Sequence, residues 1–300
     1  MRILISGGTG MVGSALTQSL RASGDVVNHL VRSKEKQSPG DVRWNPTSAT
    51  ADVAAMEGYD AVVHLSGASV AQGRWTAARK LALRSSRIDT TRVLVDALSH
   101  LHQKPSVFIC ASATGFYGNR GDEILTESSG YGNDFLSLLC RSWEGEAARA
   151  ATSGIRTVIT RFGIILSTEG GALSAMVAPF KLGLGGRLGS GKQWMSWITL
   201  EDVIAILRTA INDKSWNGPF NVVSPSPIQN ADFTRVLASV LHRPAFFAAP
   251  RFILRIALGE MADSLLLASQ RVLPAKLEAA GYTFRQENLE PALYAILAKP

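Results

Sequence analysis

The run Ser6-Gly7-Gly8-Thr9-Gly10-Met11-Val12-Gly13, entered directly from the apolar tripeptide Ile3-Leu4-Ile5, restricts the folds open to this chain more than any other feature. A strand that turns through closely spaced glycines into a helix leaves the first helical N–H groups without intrahelical partners. Those groups, together with the helix dipole, favour an anion. Gly8, Gly10 and Gly13 fit G-x-G-x-x-G, whose glycines allow a tight turn, close approach of backbone to a phosphate, and close helix-to-strand packing. Beyond the turn, Val12, Leu16 and Leu20 recur at a spacing of four, Gly24 stands where a helix C-terminal glycine belongs, and Val26 to Val31 resumes an extended apolar pattern. Strand, helix and strand in about thirty residues make one βαβ unit. The ligand this implies is a dinucleotide, with Gly7, Gly10, Met11, Val12 and Gly13 as its candidate contacts; a glycine-rich turn that binds nothing would share the pattern.

The second strand ends in Val31-Arg32-Ser33-Lys34, where an NAD site usually carries Asp or Glu for the adenosine ribose. A guanidinium and a hydroxyl there suit a ribose 2′-phosphate instead, because Arg donates two parallel bonds to phosphate and stays ionised. NADP is therefore the expected cofactor, with Arg32 and Ser33 as its selectivity residues. The alternative is a solvated basic residue after a strand, and Glu35 lies close by.

With 46% hydrophobic residues, 300 residues can bury a large core. The net charge of +7 is spread along the sequence rather than blocked, and no nucleic-acid-binding signature accompanies it. The excess reads as surface solvation and attraction for an anionic cofactor or small-molecule substrate, not nucleic acid. Cys110 and Cys140 are too few for a disulfide framework, and neither has metal-ligand spacing, so no metal is expected. The chain enters its first motif without a secretory signal pattern and has no apolar run of about 18 residues. A cytoplasmic protein without membrane partners is the expectation.

Strand patterns occur at Arg2 to Ser6, Val26 to Val31, Ala61 to Leu65, Val107 to Cys110 and Thr157 to Arg161; helical patterns occur at Met11 to Ser23, Ser86 to His100 and Phe135 to Thr152. Such alternation predicts an α/β fold, a Rossmann-type doubly wound parallel sheet. After Phe162 glycines multiply, so residues 1–162 read as the nucleotide-binding domain and 163–300 mainly as a smaller C-terminal substrate lobe, with some core elements returning after 195. In that second part Leu200 to Asn212 and Asn230 to Leu241 read as helices, the latter with polar capping candidates, and Phe220 to Val223 as a strand.

Several further segments carry a family resemblance: Val62-Val63-His64-Leu65-Ser66-Gly67-Ala68, Ser85-Ser86-Arg87-Ile88, Ser112-Ala113-Thr114-Gly115-Phe116-Tyr117-Gly118, Trp143-Glu144, Arg161-Phe162-Gly163-Ile164-Ile165-Leu166, and Trp197-Ile198-Thr199-Leu200-Glu201-Asp202. With the glycine turn and Arg271-Val272-Leu273-Pro274-Ala275-Lys276-Leu277, they make the chain resemble an atypical extended short-chain dehydrogenase/reductase. The resemblance is to the epimerase-like branch often labelled sugar-nucleotide epimerase or cell-division inhibitor. It implies that Leu65, Ser66 and Gly67 lie along the cofactor, that Arg87 contacts the nucleotide, and that Phe162 and Gly163 face the nicotinamide. A surface arginine on a helix is the plainer reading of Arg87.

Relatives with dehydrogenase or epimerase activity use Tyr-x-x-x-Lys for proton exchange, and no tyrosine of this chain has Lys four residues on. Ser112 matches the substrate-orienting hydroxyl of the superfamily, and Tyr117 is the candidate substitute proton donor. Glu144 is a further candidate base, whereas Cys140 and His64 read as structural, and Glu127 has no clear proton-transfer task. Trp75, Trp194 and Trp197 suit either substrate stacking or loop packing. Two functions follow as expectations: an NADP-dependent oxidoreductase or epimerase-like enzyme, or a catalytically silent NADP-binding sensor or scaffold.

Overall fold

The computed structural model describes residues 1–32, 38–46 and 50–298. Numbering only the strands of its main sheet, these are β1 (Arg2–Ser6), β2 (Val26–Val31), β3 (Val42–Asn45), β4 (Thr50–Ala51), β5 (Ala61–His64), β6 (Val107–Ala113), β7 (Arg156–Phe162) and β8 (Gly218–Val222). Their order across the sheet is β8-β7-β6-β5-β1-β2-β3-β4, parallel throughout except for the antiparallel pair β3/β4. The direction of winding reverses between β1 and β5, so the carboxyl ends of those strands border the crevice where open α/β sheets take ligands.

Alternation along the strands sorts side chains to two faces. Ile3, Ile5, Val63, Val107 and Ile109 pack under helices α1 (Met11–Ala22) and, later in the chain, Leu200–Asn212; Leu4, Val62, Phe108 and Cys110 pack under Thr90–Ser99 and Phe135–Ala148. Strands buried on both faces explain the continuous apolar runs at Ile3-Leu4-Ile5 and Ala61-Val62-Val63. A separate apolar cluster, including Leu173, Phe180, Trp197, Phe233 and Leu293, is built from residues after Phe162. The main sheet nonetheless takes β8 from that later part of the chain, and its α1 face takes the helix Leu200–Asn212.

The expected elements are present, with differences at their ends. The helix expected at Ser86 to His100 is a longer assembly: α2 (Ala77–Arg84), a π-helical turn at Ser85–Asp89, and α3 (Thr90–Ser99). Its start is set by Thr76, whose hydroxyl accepts from the Arg79 N–H. Phe135 to Thr152 is α4 (Phe135–Ala148) followed by a 3₁₀ segment at Arg149–Ser153. β3 and β4 were not expected, being short strands with few apolar residues at the sheet edge. At Asn230–Val240 the expected polar cap is absent: Asn230 instead accepts the Leu188 N–H at 2.8 Å, tying two segments of the later lobe together.

Candidate active site

The turn between β1 and α1 is shaped by what side chains would strike. Gly7 has φ +75°, and a Cβ there would stand 2.9 Å from the Leu65 carbonyl; a Cβ on Gly13 would stand 2.2 Å from the Gly7 oxygen. Glycine is therefore required for chain reversal at position 7 and for helix-to-strand contact at position 13. Gly8 faces the ring of His29, and Gly10 begins α1 without a side-chain cap or an acidic residue in the first turn. The N–H groups at Met11 and Val12 are thus free of the competitors that usually cap a helix. Across the crevice, the segment after β5 begins with the Leu65 N–H donating to Ser6 O at 3.1 Å.

Arg87 leaves the π-helical turn with its guanidinium against Gly67, where a Cβ would stand 3.2 Å from Cζ, and 5.2 Å from the centre of the Trp143 ring. Its only hydrogen bonds among the described residues are long, 3.4 and 3.5 Å to Ser86 Oγ and Leu83 O, and it has no carboxylate partner. Burial lowers its pKa, yet an arginine remains charged. A mostly enclosed cation facing a glycine loop is unlike the solvated helix arginine of the plainer reading. Ser86 Oγ accepts the Ala68 N–H at 3.1 Å and so fixes the same loop. Arg32 follows β2 directly and is exposed, without an ion pair among the described residues; Ser33 lies outside the described residues.

Ser112 and Tyr117 are brought together, but by a buried network. Ser112 Oγ donates to Glu144 Oε1 at 2.6 Å, and Glu144 receives a bidentate pair from Arg161 at 2.9 and 2.7 Å. The third guanidinium nitrogen donates to the Tyr117 hydroxyl at 2.9 Å, which donates to Asn221 Oδ1 at 2.6 Å. Arg161 also lies 3.6 Å over the Phe116 ring. Tyr117 is fully buried, and burial pushes its phenol up to about 12 in spite of Arg161 and Asn221. Its hydroxyl faces the interior, not open space from which a substrate would approach. Sequence reasoning weighed Glu144 but missed Arg161 and Asn221 as network members; the available signal was a cation inside the apolar run Val158-Ile159-Thr160-Arg161-Phe162, which needs a buried counter-charge.

Phe162 is half-buried, and Gly163 is wedged so that a Cβ would stand 2.5 Å from Ser196 O. Cys140 is a buried thiol pushed up to about 12 by burial, and Cys110 is buried too, so neither is a poised nucleophile. His64 is buried between Trp44 and Phe108, with Nδ1 bonded to Ser6 Oγ at 2.5 Å. Glu127 accepts the Asn221 N–H at 3.0 Å. Trp75 and Trp197 donate to backbone carbonyls of Val70 and Ser226, which is loop packing, whereas Trp194 is half-buried and donates to Asp122.

The family described as NAD dependent epimerase/dehydratase matches residues 3–239, and a domain of unknown function matches 249–296. An epimerase family protein of Mycobacterium leprae is 41% identical over 298 residues, covering 99% of this chain and 96% of that one. The chain belongs to the NAD dependent epimerase/dehydratase family. Another of the family, the Bacillus subtilis epimerase family protein YfhF, is 37% identical over 99% of this chain and 98% of its own. The crystal structure of human epimerase family protein SDR39U1 (isoform 2) with NADPH superposes with a TM-score of 0.92 at 33% identity, covering 100% of both chains. A nucleoside-diphosphate sugar epimerase of Corynebacterium glutamicum superposes at 0.82 with 36% identity, over 99% of this chain and 58% of that one. Within this family the sheet is the Rossmann-type fold, and the glycine turn, the loop after β5 and Arg87 border the crevice at the carboxyl ends of β1 and β5.

Proposed function

We propose that the chain binds NADP and acts as an oxidoreductase or epimerase-like enzyme on a small carbonyl or alcohol, a sugar nucleotide among the candidates. The observation that carries this reading is the pairing of a glycine cradle that any Cβ would fill with Arg87, a largely enclosed cation without a carboxylate partner among the described residues, across the same crevice. The residues fit the cofactor. Met11, Val12 and Gly13 would offer main-chain N–H groups to its phosphates, Arg87 a charge, Leu65, Ser66 and Gly67 a close wall for the adenosine half, and Phe162 and Gly163 a wall for the nicotinamide half. Arg32 and Ser33 are assigned to the 2′-phosphate, supported by the exposure of Arg32 at the end of β2. The NADPH of the human relative supports the same choice.

When bound, the nicotinamide supplies hydride transfer to or from a carbon. Ser112 is assigned to orient the reacting oxygen, because its hydroxyl stands at the carboxyl end of β6 and is polarised by Glu144. In the oxidative direction the substrate hydroxyl would hand its proton to Ser112 Oγ as Ser112 hands its own to the Glu144 carboxylate, which leaves the carbon able to release hydride. Tyr117, with its hydroxyl engaged on both sides, is assigned to hold Arg161, and through it Glu144, in place. A division near Phe162 into cofactor and substrate parts, a cytoplasmic location, and grouping with the epimerase-like members belong to the same reading.

The absence of Tyr-x-x-x-Lys and the enclosure of Tyr117 favour a second reading, an NADP-binding sensor without turnover. Incubating the full chain and NADPH with a panel of carbonyls and sugar nucleotides separates the two. Oxidation of the reduced nicotinamide that Ser112→Ala slows by about a hundredfold, within the usual range for a positioned proton-transfer group, supports the enzyme. Silence across the panel with intact binding supports the sensor.

A further inference from the structure

Among the described residues no helix is long and apolar enough to cross a membrane. Half of the large exposed hydrophobic side chains nevertheless fall in two short stretches of the later lobe, 182–184 and 246–256. Leu182 and Phe246 are 75% and 90% exposed, with Leu184 and Phe247 beside them. These four are gathered by a parallel ribbon in which Gly186 pairs with Phe247 and Leu188 with Ala249, and by Arg243, whose Nε donates to Lys181 O at 3.2 Å. Gly186 meets Phe247 so closely that a Cβ there would overlap its carbonyl, so the ribbon holds its aromatic edge in a fixed place.

The chain then enters the helix Arg251–Leu258, none of whose residues is buried. At 100° per residue, Phe252, Ile253 and Ile256 share one side, and Arg251 and Arg255 stand together beside it. Residues 180–192 and 242–257 together carry Lys181, Arg187, Lys192, Arg243, Arg251 and Arg255, and no Asp or Glu. Of these cations only Arg255 has a carboxylate partner among the described residues, Asp263 at 2.9 Å. Two cavities among the described residues, about 940 Å³ beside α1 and about 230 Å³ near Lys192, are not lined by these apolar side chains. Projecting aromatics without a groove do not receive a peptide. A second copy of the chain would set six cations against six.

We propose that this face docks on the surface of an anionic phospholipid bilayer. The exposed Phe, Ile and Leu side chains enter the headgroup boundary, and the unpaired Lys and Arg residues meet lipid phosphates. Contact is reversible and peripheral, since one short helix and a ribbon edge supply it. The feature is independent of the cofactor crevice.

The test is co-sedimentation of the full-length chain with vesicles of phosphatidylcholine alone or mixed with phosphatidylglycerol. Binding at least about tenfold stronger to the mixed vesicles, and weakened by salt, is expected. Phe246→Ser with Phe252→Ser and Ile256→Ser should lower it by about tenfold or more without moving the melting curve, because these side chains are exposed. Arg243→Glu with Arg251→Glu should act likewise. Failure to bind either vesicle, equal binding by wild type and both variants, full displacement by inorganic phosphate, or a dimer that the triple variant dissolves would overturn the proposal.

Discussion

The glycine turn after β1 and the Ser112–Glu144–Arg161–Tyr117 network at the ends of β6 and β7, both assigned above to one crevice, are built on opposite principles. The turn is contiguous, spans eight residues, and works through backbone that must remain bare; its specificity lies in what is missing, a Cβ at Gly7 and Gly13. The network draws on residues from 112 to 221, works through side chains, and depends on each charge having its partner indoors. The turn therefore fails by collision and the network by orphaned charge.

The largest expected effect is in the network. Glu144→Ala leaves the Arg161 guanidinium buried without a counter-ion, which should cost about 3–5 kcal/mol in urea unfolding. A loss below about 1 kcal/mol, the scale of a surface pair, would mean that water reaches Arg161 and that the network is open. Next is the turn: Gly13→Ala drives a Cβ into the Gly7 carbonyl and should weaken NADPH binding about a hundredfold, equivalent to ~3 kcal/mol. If affinity survives, the backbone there is not what holds the phosphates.

A pH effect sharpens the contrast, because His64 lies between the two regions at the end of β5. Burial pushes its pKa down from 6.5 to about 3, so the folded protein keeps it neutral where the unfolded chain takes a proton. Its contribution is fully present above pH 6.5 and is lost as pH falls from there toward 3, at about 1.4 kcal/mol per pH unit. Across that window the wild type should lose stability relative to His64→Leu as pH falls; denaturation midpoints that keep a constant difference would place the ring in water.

How much could be read in advance follows from the same contrast. The turn, the alternation of strands and helices and the end of α1 at Gly24 are local, set by spacings within a few residues, and the chain displays them directly. Arg161 and Glu144 stand in separate motifs and nothing local shows them to be partners, because they are seventeen residues apart and meet only where α4 packs against β6 and β7. Asn221 is more distant still, on a strand that enters the sheet from the later part of the chain. Tyr117 looked available as a proton donor since sequence shows a hydroxyl near Ser112 but not the direction it faces. The helix at 86–100 extended further back than expected because its boundary depends on the Thr76 hydroxyl, outside the apolar pattern.

The central claim is that bare backbone at the first turn, with Arg87 across the crevice, grips a phosphorylated nicotinamide dinucleotide. Calorimetric titration of the full-length chain with NADPH and with NADH measures this directly. The account predicts one-to-one, salt-weakened binding that favours NADPH, with the preference lost in Arg32→Asp. Absence of heat from either dinucleotide at millimolar concentration, with the protein folded, would contradict it.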